Sequence, residues 1–189
     1  MKKFKRNTNL TQGYLQRAAY RYLERYATTE ANLIFILTRK AERILLEQED
    51  RDDKLSEATH WIKEIVEKCV KNGLVDDKLY AKARVNAFLN AGNSLPIMRN
   101  KLRAKGVPAH IINQVIEELM SNSPQVNLKS CIKYARKRRF GPYRIRDAKE
   151  DTDKKEQAAM ARAGFSYDEA MRILKASRDE LDDILYENP

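Results

Sequence analysis

The sequence predicts an all-α protein, built of tandem three-helix repeats stacked into an elongated, curved rod. Three observations predict it. Apolar residues recur three and four positions apart through most segments, the period of a helix face and not the alternation of a strand. Glycine and proline are few, six and five in 189 residues, and most glycines stand where a helical period stops. A short grammar also recurs: an apolar helix end, a tight turn, a hydroxyl, then apolar residues four and eight positions on. It is read in YLERYATTEANLIFIL, FLNAGNSLPIMRNKL and MARAGFSYDEAMRIL, with hydroxyls Thr29, Ser94 and Ser166 and pairs Leu33/Leu37, Met98/Leu102 and Ala170/Leu174. Such units cannot bury their apolar faces alone, so they stack on their neighbours.

The chain divides into a basic flexible arm at 1–9, repeats at 10–72, 73–121 and 122–176, and an acidic C-terminal segment at 177–189; the third repeat holds a basic insert at 136–150. The first helix carries Tyr14, Leu15, Ala18, Ala19, Tyr22, Leu23 and Tyr26 on one side and Arg17, Arg21 and Arg25 on the other. Thr28 or Thr29 caps the next, which bears Leu33, Ile36, Leu37, Ala41, Ile44 and Leu45. Glu47 to Asp53 reads as a loop, and a helix with Trp61, Ile62, Ile65, Val66, Cys69 and Val70 completes the unit. Gly73 stops it.

In the second repeat, Asp76 or Asp77 caps a helix whose small-residue stripe is Tyr80, Ala83, Ala87 and Ala91. Ser94 caps a helix with Leu95, Met98 and Leu102, and Gly106 ends it. Pro108 opens the widest apolar face of the three, Ile111, Ile112, Val115, Ile116 and Leu119. The third repeat starts with Leu128, Cys131, Ile132 and Ala135 and is interrupted at Gly141-Pro142, since proline forces its predecessor out of the helical region. Asp151 to Asp153 supply caps for a helix ending at Gly164, and Ser166 to Glu169 has capping-box spacing. Leu181, Ile184 and Leu185 put one apolar side on the acidic segment.

Charge and inventory bound the function. Lys+Arg 37 against Asp+Glu 27 gives a net charge of +10, which favours an anionic partner. No apolar run reaches membrane-span length, and the basic N-terminus lacks the apolar core of a secretory signal; a cytoplasmic protein is expected. Two cysteines and two histidines without ligand spacing argue against a metal or a disulfide. There is no Gly-rich phosphate loop, no HExxH helix and no Ser-His-Asp set, so no catalytic residue and no cofactor is assigned. Asp76-Asp77 precedes an apolar helical period and reads as a cap.

Binding candidates are cationic. Arg136, Lys137, Arg138, Arg139, Arg144 and Arg146 are dense enough to neutralise several phosphates, with Phe140 and Tyr143 interleaved as aromatics able to stack on bases. Arg17, Arg21 and Arg25 fall one turn apart, and Arg99, Arg103 and Lys105 follow the Ser94 cap. For the 136–146 set an anion-binding surface is favoured over a solvated basic loop because the net charge agrees, whereas Arg17, Arg21 and Arg25 read equally as a solvated helix back. The turn at Gly92 to Ser94 has a helix-turn-helix flavour, but one such match is cheap in an all-helical chain.

The combination of YLERYATT, GLVDDKLYAKA, NKLRAKGV and ARAGFSYDEAMRIL, in this order from about Tyr14 to Leu174, resembles the RecX family, regulators of the recombinase RecA. WIKEIVEKC, RKRRFGPYR and the basic first helix are similar to its alphaproteobacterial branch. TRKAERI stands where many members have a lysine-glycine stop, and the basic insert lies outside the shared core. The resemblance implies a negative modulator that lodges in the groove of the RecA filament on single-stranded DNA. It implies inhibition of ATP hydrolysis, strand exchange and co-protease function, hence a part in recombination, DNA repair and the SOS response, with no bond made or broken. The motif residues Gly73, Asp76, Asp77, Tyr80, Ser94, Gly106, Gly164, Phe165 and Ser166 are then structural. The partner implied is the filament, with direct DNA contact as the alternative, and the protein is expected to act as a monomer. The acidic tail is free to fold back on the basic insert.

Overall fold

The structure is a computed structural model and describes residues 9–186. Except for Asn9, the expected basic arm lies outside them, as do the last three residues of the acidic segment. Ten α-helices and one 3₁₀ turn, with no strand, make up the described residues. The described residues form two compact units: those up to Tyr80 with Lys105–Val107, and Ala81–Ala104 with those from Pro108 onward.

The first unit is organised by α1 (Gln12–Leu23), α2 (Glu30–Leu45) and α3 (Arg51–Lys71). Leu15 and Ala19 of α1, Leu33, Leu37 and Ala41 of α2, and Ala58, Ile62, Ile65, Val66 and Cys69 of α3 form its core. Each fully buried leucine contributes about 2 kcal/mol by leaving water. Of the two candidate caps of α2, Thr29 is the one: its Oγ1 accepts from Asn32 N at 3.1 Å. Thr28 accepts instead from the Asn32 side chain at 2.7 Å. The charged segment after α2 divides, with a loop at 46–50 and helix from Arg51. Tyr26 is 56% exposed and lies outside the core, its ring centroid 5.1 Å from that of Tyr22. Asp76 and Asp77 have separate duties. Asp76 accepts from Leu79 N at 2.8 Å and so caps α4 (Asp77–Asn90), whereas Asp77 accepts from Glu30 N at the start of α2, at 2.9 Å. Burial holds the Asp77 carboxyl above its ordinary value, against that bond.

In the second unit the buried face of α4 is Ala81, Val85 and Phe88, and the alanines at 83, 87 and 91 are exposed. The expected stripe is therefore on the wrong side. Apolar residues surround this helix, and the bulkier Val85 and Phe88 decide which face turns inward because they remove more surface from water. Tyr80 is half-buried. Helices α5 (Leu95–Ala104) and α6 (Ala109–Asn122) bury Met98, Leu102, Ile112, Val115 and Ile116 as their periods require. The remaining helices, α7 (Val126–Arg138), α8 (Thr152–Arg162), α9 (Tyr167–Lys175) and α10 (Arg178–Tyr186), enclose Cys131, Ile132, Ala135, Met160, Phe165, Ile173 and Leu181. α7 ends in left-handed Arg139, at φ 61°, followed by the 3₁₀ turn Gly141–Tyr143. Asp151 precedes α8 without a capping bond, contrary to expectation; Asp153 pairs with Arg144 instead. The capping box at Ser166 is present in both directions.

Two of the three hydroxyl caps do a second job. Thr29 Oγ1 donates to Lys105 O at 2.6 Å, and Ser94 Oγ donates to Ala163 O at 2.7 Å. Both acceptors immediately precede a left-handed glycine, Gly106 at φ 79° and Gly164 at φ 81°. A Cβ on Gly106 would lie 2.7 Å from Ala31 Cβ, and one on Gly164 would lie 2.6 Å from Ser94 Oγ. These matching bonds align Gly106 with Gly164, and hence NKLRAKGV with MARAGF. Ser166, with no such bond, does not occupy the position that Thr29 and Ser94 share.

Candidate functional site

The basic stretch after Ser130 divides into side chains that face solvent and side chains that hold the fold. Helix α7 turns Cys131, Ile132 and Ala135 inward, so Arg136, Lys137 and Arg138 are exposed. Lys133, Arg136 and Lys137, at i, i+3 and i+4, share one face. With Asn90, Leu185 and Tyr186 they line an open groove of about 500 Å³. Lys133 Nζ donates to Asn90 Oδ1 at 3.4 Å, and Arg136 Nη1 donates to the Tyr186 hydroxyl at 3.0 Å. That bond, followed by the nearby Tyr186 and Asp182 groups, raises the Arg136 pKa further, so its charge is fixed. The face offers three cations to an anionic chain running across it.

The aromatics of the insert do not join that surface. Tyr143 is buried, its hydroxyl donating to Asp182 Oδ1 at 2.9 Å, and Phe140 packs edge-on to Tyr134 at 6.1 Å. Their apolar rings complete the core where α7 ends, which removes them as platforms for bases. Arg144 is likewise inward. Its Nε donates to Glu156 Oε1 at 2.8 Å and its Nη2 to Glu156 Oε2 at 2.6 Å, with Asp153 as a further partner. Glu156 is buried and also accepts from Gly141 N at 2.8 Å. The hydrogen bonds that Arg144 donates to Glu156 push its pKa up. Arg144 therefore clasps the base of the insert, while Arg139 and Arg146 stay exposed beside it, around a smaller groove of about 330 Å³.

The other candidates lie apart from α7 in the sequence. Arg17, Arg21 and Arg25 are exposed along and just beyond α1. Arg99 donates to Asn113 Oδ1 at 2.6 Å and Arg103 to Asn100 Oδ1 at 3.0 Å, while Lys105 is exposed. Phe165 is buried, with its ring 5.4 Å from Tyr134. The acidic segment is helical and packed: α10 lies against α7, with Leu181 fully buried.

Sequence reasoning missed Asn90, Lys133 and Tyr186. Lys133 was legible from its spacing to Arg136 and Lys137; Asn90 and Tyr186 required the fold. It also missed Asn127, which accepts from Leu95 N at 3.0 Å and donates to Glu169 Oε1 at 2.5 Å, joining α5 to the capping box of α9. Cys69 and Cys131 are free and buried, and burial pushes both thiols up. Among the described residues, no helix is long and apolar enough to cross a membrane.

No family model matches the chain. Curated relatives do. Regulatory protein RecX of Myxococcus xanthus is 33% identical over 179 residues, covering 92% of this chain and 90% of the relative. Regulatory protein RecX of Agrobacterium fabrum is 32% identical over 115 residues, 61% of this chain and 59% of that one. Among solved structures, RecX from Lactobacillus salivarius superposes with a TM-score of 0.62 at 23% identity, over 90% of this chain and 96% of the other. A second crystal structure of regulatory protein RecX gives 0.62 at 22%, over 87% and 71%. Fold and sequence together define an all-helical regulatory protein. The chain belongs to the RecX family.

Proposed function

We propose that this protein is a negative modulator of the recombinase RecA. It acts on the filament that RecA forms on single-stranded DNA, binds in the filament groove, and inhibits ATPase, strand exchange and co-protease functions. The observation that supports this reading is the family relationship across 92% of the chain. The cationic faces of α1, α5 and α7 suit it physically, because several modest contacts along one filament add up through effective concentration. Residues 10–72, 73–121 and 122–176 serve as three repeats that present these faces in turn. The protein works in the cytoplasm as a monomer, without a cofactor and without making or breaking a bond.

The test is the ATPase rate of RecA on single-stranded DNA, with substoichiometric protein added after filaments form. Inhibition at a ratio that leaves bare DNA mostly unbound is the expected result. An unchanged ATPase rate would refute the reading. The groove at Lys133, Arg136 and Lys137 favours one second reading, direct binding of single- or double-stranded DNA through phosphates. Tight, steeply salt-dependent binding to bare DNA, with no effect on ATPase, is what that reading predicts.

A further inference from the structure

Helix α2 carries apolar side chains on more sides than its core needs. The run Leu33-Ile34-Phe35-Ile36-Leu37 covers more than a full turn, yet only Leu33 and Leu37 are buried. Phe35 is 57% exposed, and Leu46, at the end of the same helix, is 65% exposed. Phe35, Ile36 and Leu46 line an open groove of about 580 Å³. Its other walls are Arg39, Lys40, Arg43 and Arg51, with Glu42 the one carboxylate, so four cations less one anion leave a charge of +3. Arg39 sits 5.8 Å from the centre of the Phe35 ring, and among the described residues Arg43 and Arg51 have no ion pair. Exposed aromatic and arginine side chains set together are the usual composition of a binding hot spot.

We infer that this groove docks an acidic peptide segment of RecA that carries large apolar side chains at its two ends. The inference rests on the function proposed above and gives it a gripping surface. Phe35 and Leu46 are about 16 Å apart along the helix, the rise of eleven residues, and Arg39, Lys40 and Arg43 fall between them on α2. A peptide of about three helical turns, or about five extended residues, spans that distance, its apolar ends on Phe35 and Leu46 and its carboxylates on the arginines. A nucleic-acid strand fits less well. Phe35 is the one aromatic ring in the groove and already faces Arg39, while Ile36 and Leu46 offer aliphatic surface and no stacking platform.

The experiment compares the full chain with two variants, Phe35→Ser and the double change Arg39→Glu with Arg43→Glu. Affinity is measured by anisotropy for RecA filaments on single-stranded DNA and separately for a bare oligo-dT strand. All three side chains are exposed, so melting stays at the parental value. The expected result is filament binding weakened about tenfold or more in each variant, with binding to the bare strand unchanged. Parental filament affinity in both variants would overturn the groove assignment and leave the proposed function standing. A loss of similar size for the bare strand would also overturn it, by making nucleic acid the occupant. A parent chain that does not bind filaments would overturn both readings.

Discussion

Replacing Gly164 with alanine tests whether the hydroxyl clasp holds α8 against α5. Two costs combine. Alanine in the left-handed region at φ 81° loses about 1 kcal/mol. Its Cβ would stand 2.6 Å from Ser94 Oγ, too close to share the space, while the next atoms, Pro96 Cβ and Ile97 Cγ1, are at ordinary distances of 3.5 and 3.6 Å. The serine hydroxyl must rotate away, and it then surrenders its bond to Ala163 O and its cap on Ile97 N. Ser94 is fully buried, so water does not replace those bonds, and the loss is about 2 kcal/mol. Gly73 supplies the control: it has φ 70° but no atom within 4 Å of an added Cβ. Gly73→Ala therefore costs about 1 kcal/mol and Gly164→Ala about 3 kcal/mol. With a urea m-value of about 2 kcal/mol/M, the midpoints fall by about 0.5 and 1.5 M. In a Ser94→Ala background the hydroxyl is already gone, so Gly164→Ala should cost only the backbone part. Equal midpoints for the two glycine variants, or additive Ser94 and Gly164 effects, would refute the clasp.

Two other outcomes are expected. Arg144→Met leaves buried Glu156 with the Gly141 N–H as its one remaining partner among the described residues; breaking such a pair costs about 3 kcal/mol and lowers the melting temperature by about 8 °C. The exposed Arg146→Met should leave melting unchanged in the same circular-dichroism scan. Cys69 and Cys131, buried with raised thiols, should resist a thiol-labelling reagent at pH 8 in the folded protein and both react in urea. The folded thiols keep protons that the unfolded chain releases near its ordinary value, so this stability is complete below about pH 9 and falls as pH rises past it, by up to about 1.4 kcal/mol per unit per thiol. Urea midpoints at pH 8 and pH 10, for the parent and Cys131→Ala, check the sign.

How much of this was legible depends on which property each residue needed. Caps and stops depend on local backbone chemistry, so Ser94, Gly106 and Ser166 were readable directly and Thr29 and Asp76 each to within one of two adjacent residues. Helix α4 was misoriented because its alanines give small steps in hydrophobicity, leaving Val85 and Phe88 to decide the face. The basic stretch misled most. A string of cations gives no hint that Arg144 meets a buried glutamate twelve positions on, or that Tyr143 closes a core. The place of Ser166 was equally hidden, since the cap grammar fits it while the long-range hydroxyl bonds are made by Thr29, to Lys105 O, and Ser94, to Ala163 O. The RecX motifs carried the family directly, without needing side-chain partners.

The Arg144 to Glu156 clasp also separates the insert's length from the stability of what surrounds it. Arg144 at one stem and Glu156 at the other are tied directly, and Ile145, Arg146, Asp147, Ala148, Lys149 and Glu150 between them are all exposed. Because the ends are pinned by side chains, extra residues add only the slow logarithmic entropy of a longer closed loop, about 0.6 kcal/mol per doubling. The segment between Arg146 and Ala148 is thus a site for sequence expansion, where a reporter peptide can be grafted without disturbing α7 or α8.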